Sequence, residues 1–183
     1  MKTTTSQLTT CAMFTTLTAV LAQISLPIGP VPINLAHVAI FLAAGLLGAK
    51  YGALSQIVYL LLGAVGVPVF SGFSGGIGAL AGPTGGFLIG YIACAFVTGR
   101  LIQHSGSSIK HSIPAMGAGI LITYAFGLVW YRLITGASFR TALSVCVLPF
   151  LLGDSLKILL ASVLIRSLQP YMSRRPGQSA GRM

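Results

Sequence analysis

Acidic residues are almost absent from this chain. One aspartate, Asp154, stands against eleven lysines and arginines, and there is no glutamate. Intramembrane proteases and phosphatases need a second carboxylate, a Ser/His partner or a metal set, and the sequence has no other acid to supply one. Charged residues of both signs amount to only 7% of the 183 positions, where soluble domains carry about 25%. Cysteine is sparse as well. Cys11, Cys94 and Cys146 lie far apart in apolar sequence, with no Cys-x-x-Cys pair, and His37, His104 and His111 are scattered. Neither a metal nor a redox cofactor is expected from such spacing. The Gly/Ser-rich stretch from Pro68 to Gly82 lacks the Gly-Lys-Ser/Thr of a phosphate-binding loop, so this chain is not expected to hydrolyse ATP.

What remains is apolar. Hydrophobic residues make up 55% of the chain and the mean hydropathy is +0.91, the composition of an integral membrane protein. The net charge of +10 comes from basic residues spread beside apolar runs, with no stripe interleaved with aromatics. That pattern fits the positive-inside rule and anionic lipid headgroups, and no nucleic-acid partner is expected.

The runs predict an all-α bundle of six transmembrane helices occupying residues 8–168. A short segment precedes it (1–7) and a basic tail follows (169–183). The first span covers about Leu8 to Leu26 and is read as a retained helix rather than a cleaved signal. Its small residues Ala12, Thr16 and Ala19 share a face that another helix can approach closely. A stiff loop with three prolines, Pro27, Pro30 and Pro32, carries Asn34. Spans from Leu35 to Ala49 and from Ala53 to Val67 flank a tight basic turn at Gly48 to Gly52. After the Gly/Ser loop, Pro83 is expected in the first turn of a helix reaching Gln103. Further spans run from Ile113 to Leu133 and, as one span containing Pro149, from Phe139 to Leu168. With six spans, Lys2, Lys50, Arg100, Lys110, Arg166, Arg174, Arg175 and Arg182 fall on one side, against Arg132 and Arg140 on the other. Eight basic residues against two place both termini in the cytoplasm.

Asp154 lies within the last span, and Lys157 follows three residues later on the same helical face. A charge at the centre of a membrane helix costs about 2.5–3.5 kcal/mol on insertion scales, so residues retained there mark function. With this topology the pair sits below an outer rim of Pro- and Gly-rich loops, which suggests a pocket open to the outside. Thr84 and Asn34 are candidate hydrogen-bonding groups on that rim. Gly85 and Gly86 permit close backbone approach, and Tyr91 either lines the pocket or packs.

Four segments carry a resemblance. They are Pro30-Val31-Pro32-Ile33-Asn34-Leu35, Tyr59 through Phe70, Gly82-Pro83-Thr84-Gly85-Gly86-Phe87-Leu88-Ile89-Gly90-Tyr91, and Pro149-Phe150-Leu151-Leu152-Gly153-Asp154-Ser155-Leu156-Lys157. In this order they resemble the BioY family, the biotin-binding S components of energy-coupling-factor (ECF) transporters. The resemblance spans about Ala12 to Arg166 and implies a six-helix, multi-pass protein of the cell membrane that takes up biotin. It implies partnership with a transmembrane coupling protein and ABC ATPase subunits, and contact of Ala12 and Thr16 with the coupling protein. It implies biotin contacts at Asp154, Lys157, Thr84, Asn34, Gly85, Gly86 and Tyr91, with Asp154 accepting from the ureido N–H groups and Lys157 donating to the ureido oxygen or the carboxylate. Members commonly carry Thr and Gln where Asn34 and Ala36 stand, and Tyr where Phe87 stands. Charge and periodicity alone also fit an S component or small carrier for a different vitamin-like solute.

Overall fold

The computed structural model describes residues 5–27 and 29–173. Lys2, Arg174, Arg175 and Arg182, and the tail beyond Ser173, lie outside the described residues. Among those described, seven helices and one two-stranded hairpin form in the order α1 (Thr5–Gln23), β1 (Ser25–Leu26), β2 (Ile33–Asn34), α2 (Ala36–Ala64), α3 (Ile77–Ala81), α4 (Gly85–Ser105), α5 (Ile109–Thr135), α6 (Phe139–Cys146) and α7 (Phe150–Ser173). By length and composition α2, α4 and α5 can each cross a membrane, and the bent pair α6–α7 makes a fourth candidate span.

Helix α2 is not straight. Gly48 has φ 81° and ψ −178°, a backbone conformation that side chains disfavour. A Cβ added at Gly52 would lie 3.0 Å from the Ala44 Cα. Eight residues of regular helix span about 12 Å, so the chain folds back at Gly48 into two limbs, 36–47 and 49–64. The tight turn expected around Lys50 is this reversal.

Helix α1 runs parallel to the second limb, and buried polar contacts join them at rising positions. Cys11 Sγ donates to Tyr51 O at 3.4 Å, Thr15 Oγ1 to Ser55 O at 2.9 Å, and Gln56 Nε2 to Thr18 Oγ1 at 3.2 Å. Lipid gives apolar side chains no drive to associate, so such polar bonds and close packing hold the helices together. Glycines supply the packing between α4 and α5, which run antiparallel. Gly86 faces Trp130, Gly90 faces Thr123, and Gly127 receives the Phe87 ring. Lower on α4, a Cβ at Gly99 would lie 2.6 Å from Ala49 N and 2.7 Å from its Cα. Gly99→Ala is therefore expected to push α4 from the Gly48 turn and destabilise the protein by about 1–3 kcal/mol, as overpacking does. Thermal unfolding in detergent measures this, and an unchanged midpoint would show that the approach is not a constraint.

These contacts sort the loops. The β1–β2 hairpin, the 65–84 segment and the α5–α6 turn gather at one end. The Gly48 turn, the α4–α5 loop and the end of α7 gather at the other, where Ser107 hydrogen-bonds Gln169 and Tyr51 OH donates to Gln7 at 2.8 Å.

Four details depart from the sequence expectations. The first helix ends at Gln23, because Ser25 and Leu26 pair with Asn34 and Ile33 across the proline-rich loop. The Gly/Ser stretch contains the short helix α3. Helix α4 begins at Gly85, after Pro83 rather than around it. The residue before a proline avoids the helical region, and Gly82 is extended (φ −75°, ψ 179°). The last expected span is broken, with α6 and α7 meeting at 41° across 147–149. Pro149 lacks an N–H and disfavours helix at Leu148, which accounts for the break.

Candidate functional site

Between the gathered loops and the helix ends lies a cavity of about 220 Å³. Small-molecule sites commonly begin near ~300 Å³, so it suits a compact solute. Phe87, Phe150 and Tyr124 form an apolar platform. Phe87 and Phe150 stack with centroids 6.1 Å apart, and Tyr124 tilts against Phe150 at 6.5 Å. Val31 and Pro32 from the hairpin, with Phe70, Ser71 and Ser74 from the following loop, complete the walls.

The charged pair lies beside this cavity. Lys157 Nζ donates to Asp154 Oδ1 at 2.7 Å, and Tyr124 OH donates to Asp154 Oδ2 at 2.6 Å. Asp154 is 2% and Lys157 5% exposed. Helix α7 presents both from one face, three residues apart, while α5 brings Tyr124 across. Burying a lone charge is prohibitive, and this pairing, with the second hydrogen bond from Tyr124, is what makes the burial tolerable. Lys157 and Tyr124 line the cavity, whereas Asp154 is not among its lining residues. The carboxylate therefore stands behind the wall. It fixes the ammonium and the phenol, leaving two of the three ammonium N–H groups for the cavity.

The other expected site residues separate into two groups. Asn34, Thr84 and Tyr91 line the cavity. Asn34 also has structural work, since its Oδ1 accepts from Ala36 N at 3.1 Å and its Nδ2 donates to Ser71 Oγ at 3.3 Å. Thr84 makes no side-chain bond to cap α4. Tyr91 meets His37 edge to face at 5.0 Å. Gly85 and Gly86 lie outside the lining. They are buried against Leu80 and Trp130, and the Trp130 indole N–H donates to Gly82 O at 3.0 Å. Their small size serves helix packing. Ala12 and Thr16 are exposed on α1, away from its buried face of Cys11, Thr15, Thr18 and Ala22. Arg132 packs over the Phe139 ring at 5.9 Å and is not part of the cavity.

Tyr124 and His37 were not anticipated as site residues. No spacing links Tyr124 to Asp154, thirty positions away, and an aromatic in an apolar helix is ordinarily packing. His37 did carry a signal, since it is ionisable within an apolar run, as Asp154 is. It is buried, and its Nε2 has no hydrogen-bond partner among the described residues. No cluster suited to a metal ion occurs among the described residues.

Comparisons with known proteins point one way. The sequence model of the BioY family matches residues 1–174. The biotin transporter BioY of Thermotoga maritima is 42% identical over 158 residues, covering 86% of this chain and 92% of that protein. The probable biotin transporter BioY of Pyrococcus horikoshii is 40% identical over 158 residues, covering 86% and 93%. The crystal structure of an S-component for biotin from an ECF-type ABC transporter superposes with a TM-score of 0.85 at 29% identity, covering 92% of this chain and 95% of that one.

Proposed function

The chain belongs to the BioY family, and we propose that it is the biotin-binding subunit of an ECF-type transporter, delivering biotin across the cell membrane with coupling and ATPase subunits as partners. It is a multi-pass membrane protein and a transport subunit rather than an enzyme. The observation that carries the binding reading is the neutral Asp154–Lys157 pair, joined by Tyr124, at the wall of a small aromatic-lined cavity.

Charge balance sets the orientation of biotin. The pair is already neutral, so a carboxylate placed beside it would leave one buried negative charge uncompensated. The uncharged ureido head suits the position better. Lys157 donates to the ureido oxygen, the Tyr124 oxygen accepts a ureido N–H, and the aromatic platform takes the thioether ring. The valerate carboxylate then points toward the loops. Asp154 acts through Lys157 and Tyr124. Asn34, Thr84 and Tyr91 offer further polar contacts along the way. Biotin amide, altered only at the carboxyl, is therefore expected to bind within about tenfold of biotin, a difference of about 1.4 kcal/mol. The positively charged form of 2-iminobiotin should bind far more weakly, because it meets the ammonium. The reverse order in competition binding would show that the carboxylate lies at Lys157.

The chain reversals support six crossings, with the limbs of α2 as two of them and α6–α7 as one broken span. Exposed Lys50, Arg100, Lys110 and Arg166 lie at the end with the Gly48 turn, against Arg132 and Arg140 at the end with the cavity. This asymmetry makes the former end cytoplasmic and opens the cavity outward. Residues 8–168 then form one membrane domain. The outward face of α1 at Ala12 and Thr16 is the surface for the coupling protein. Uptake of labelled biotin by cells producing the chain with coupling and ATPase subunits tests the transport role. Accumulation of biotin is expected. Accumulation of another vitamin but not biotin would favour a carrier for a different solute.

A further inference from the structure

Gln23, the last residue of α1, holds the loop that forms part of the cavity wall. The two N–H groups of its Nε2 are shared among Val69 O at 3.0 Å, Phe70 O at 3.1 Å and, within the helix, Ala19 O at 3.2 Å, and its Oε1 accepts from the Phe73 N–H at 2.8 Å. Beside it, Ser71 Oγ donates to Ala22 O at 2.9 Å and accepts from Asn34 Nδ2. One side of the loop is held by Phe70, which is 2% exposed and meets Tyr59 edge to face at 5.5 Å, and by Tyr59 OH, which donates to Val69 O at 3.1 Å. Phe70 and Ser74 form one isolated bridge, and Ser74 Oγ donates to Ser71 O. Phe73 is the one non-glycine residue with positive φ (54°) among those described, a conformation that is strained for a bulky side chain. Its ring is 72% exposed, so tertiary packing does not hold it there. Strain of this kind persists only where the surroundings impose it. The Phe70–Ser74 bridge and the bonds to the end of α1 do so together, and Gln23 is the side chain that bonds Phe73 itself, through the Phe73 N–H.

Phe70, Ser71 and Ser74 of this loop line the cavity, and Gln23 does not. We propose that Gln23 is a positioning residue for the binding site: by fixing residues 69–73 it keeps the cavity wall closed and slows escape of the bound solute. Opening then requires these bonds to break together, which acts on dissociation more than on association. The ligand part of this inference rests on the biotin-binding reading, and the loop part does not.

Two readouts on full-length purified protein separate them. Gln23→Met keeps the size and removes the bonds, and Gln23→Asn serves if the Met variant does not fold. Without ligand, amide exchange in residues 69–76 is expected to rise in the variant while exchange in α4 and α5 stays the same. With labelled biotin, dissociation is expected to quicken by about tenfold or more with association little changed, the usual partition of such effects. Unchanged exchange at 69–76 would overturn the anchoring role. Faster exchange with an unchanged dissociation rate would overturn control of escape. Failure of the unsubstituted protein to bind biotin would overturn the biotin reading, and the exchange result would still decide the anchoring role.

Discussion

Asp154→Asn is expected to reduce biotin affinity by at least about a hundredfold and to destabilise the empty protein. The carboxylate accepts from Lys157 on one oxygen and Tyr124 on the other. Asparagine keeps the shape and loses the charge, and its NH₂ sets a donor against one of two donors. Removing one partner of a buried ion pair costs about 3–5 kcal/mol, because the remaining charge stays uncompensated. A cost of 1.4 kcal/mol is a factor of about ten, so the loss is large on either readout. Both are measurable on the same preparation, by equilibrium binding and by thermal unfolding. An affinity within threefold of the unsubstituted protein, on the order of 0.7 kcal/mol, would remove Asp154 from the site.

Lys157→Met is expected to be as severe for binding, since Lys157 is the charged donor that lines the cavity. Alone it leaves Asp154 buried with only Tyr124, so stability should fall too. The pairing of the two residues raises a sharper question: whether they serve biotin or merely neutralise each other. The double variant Asp154→Leu with Lys157→Met separates these. Apolar replacement of a whole buried pair is often neutral or stabilising by about 1–4 kcal/mol. Stability should therefore recover relative to either single variant. Binding should not recover, because the cavity has lost the donor proposed to meet the ureido oxygen. Recovery of both would reduce the pair to a structural device.

The candidate site was legible where a residue type stood out from its surroundings. Asp154 and Lys157 are ionisable in apolar sequence, and that cost alone marked them before any fold was known. Their division of labour was not legible. Only the packing of α5 on α7 shows that Tyr124 takes one carboxylate oxygen and that Lys157 rather than Asp154 lines the cavity. Gly85 and Gly86 illustrate the converse. Glycine permits close approach, yet nothing local says whether to a ligand or to a helix, and the contact of both with Trp130 becomes visible only in the fold. The turn at Gly48 was legible from its small residues and Lys50. The break before α7 depended on Pro149, a visible residue whose effect was hidden within a continuous apolar run. The β1–β2 pairing left no signal at all, because two residues per strand are too few for any periodicity. Gln23 shows the same gap at the level of contacts, since its partners in the loop lie 46 to 50 positions away.

The most direct test of biotin recognition is equilibrium binding of labelled biotin to the purified chain, with thiamine, riboflavin and desthiobiotin as competitors. The expected result is saturable binding that thiamine and riboflavin leave intact and that desthiobiotin, which keeps the ureido group but lacks the thioether ring, displaces less well than biotin. Absence of saturable biotin binding, or displacement by thiamine or riboflavin as effective as by biotin itself, would contradict it.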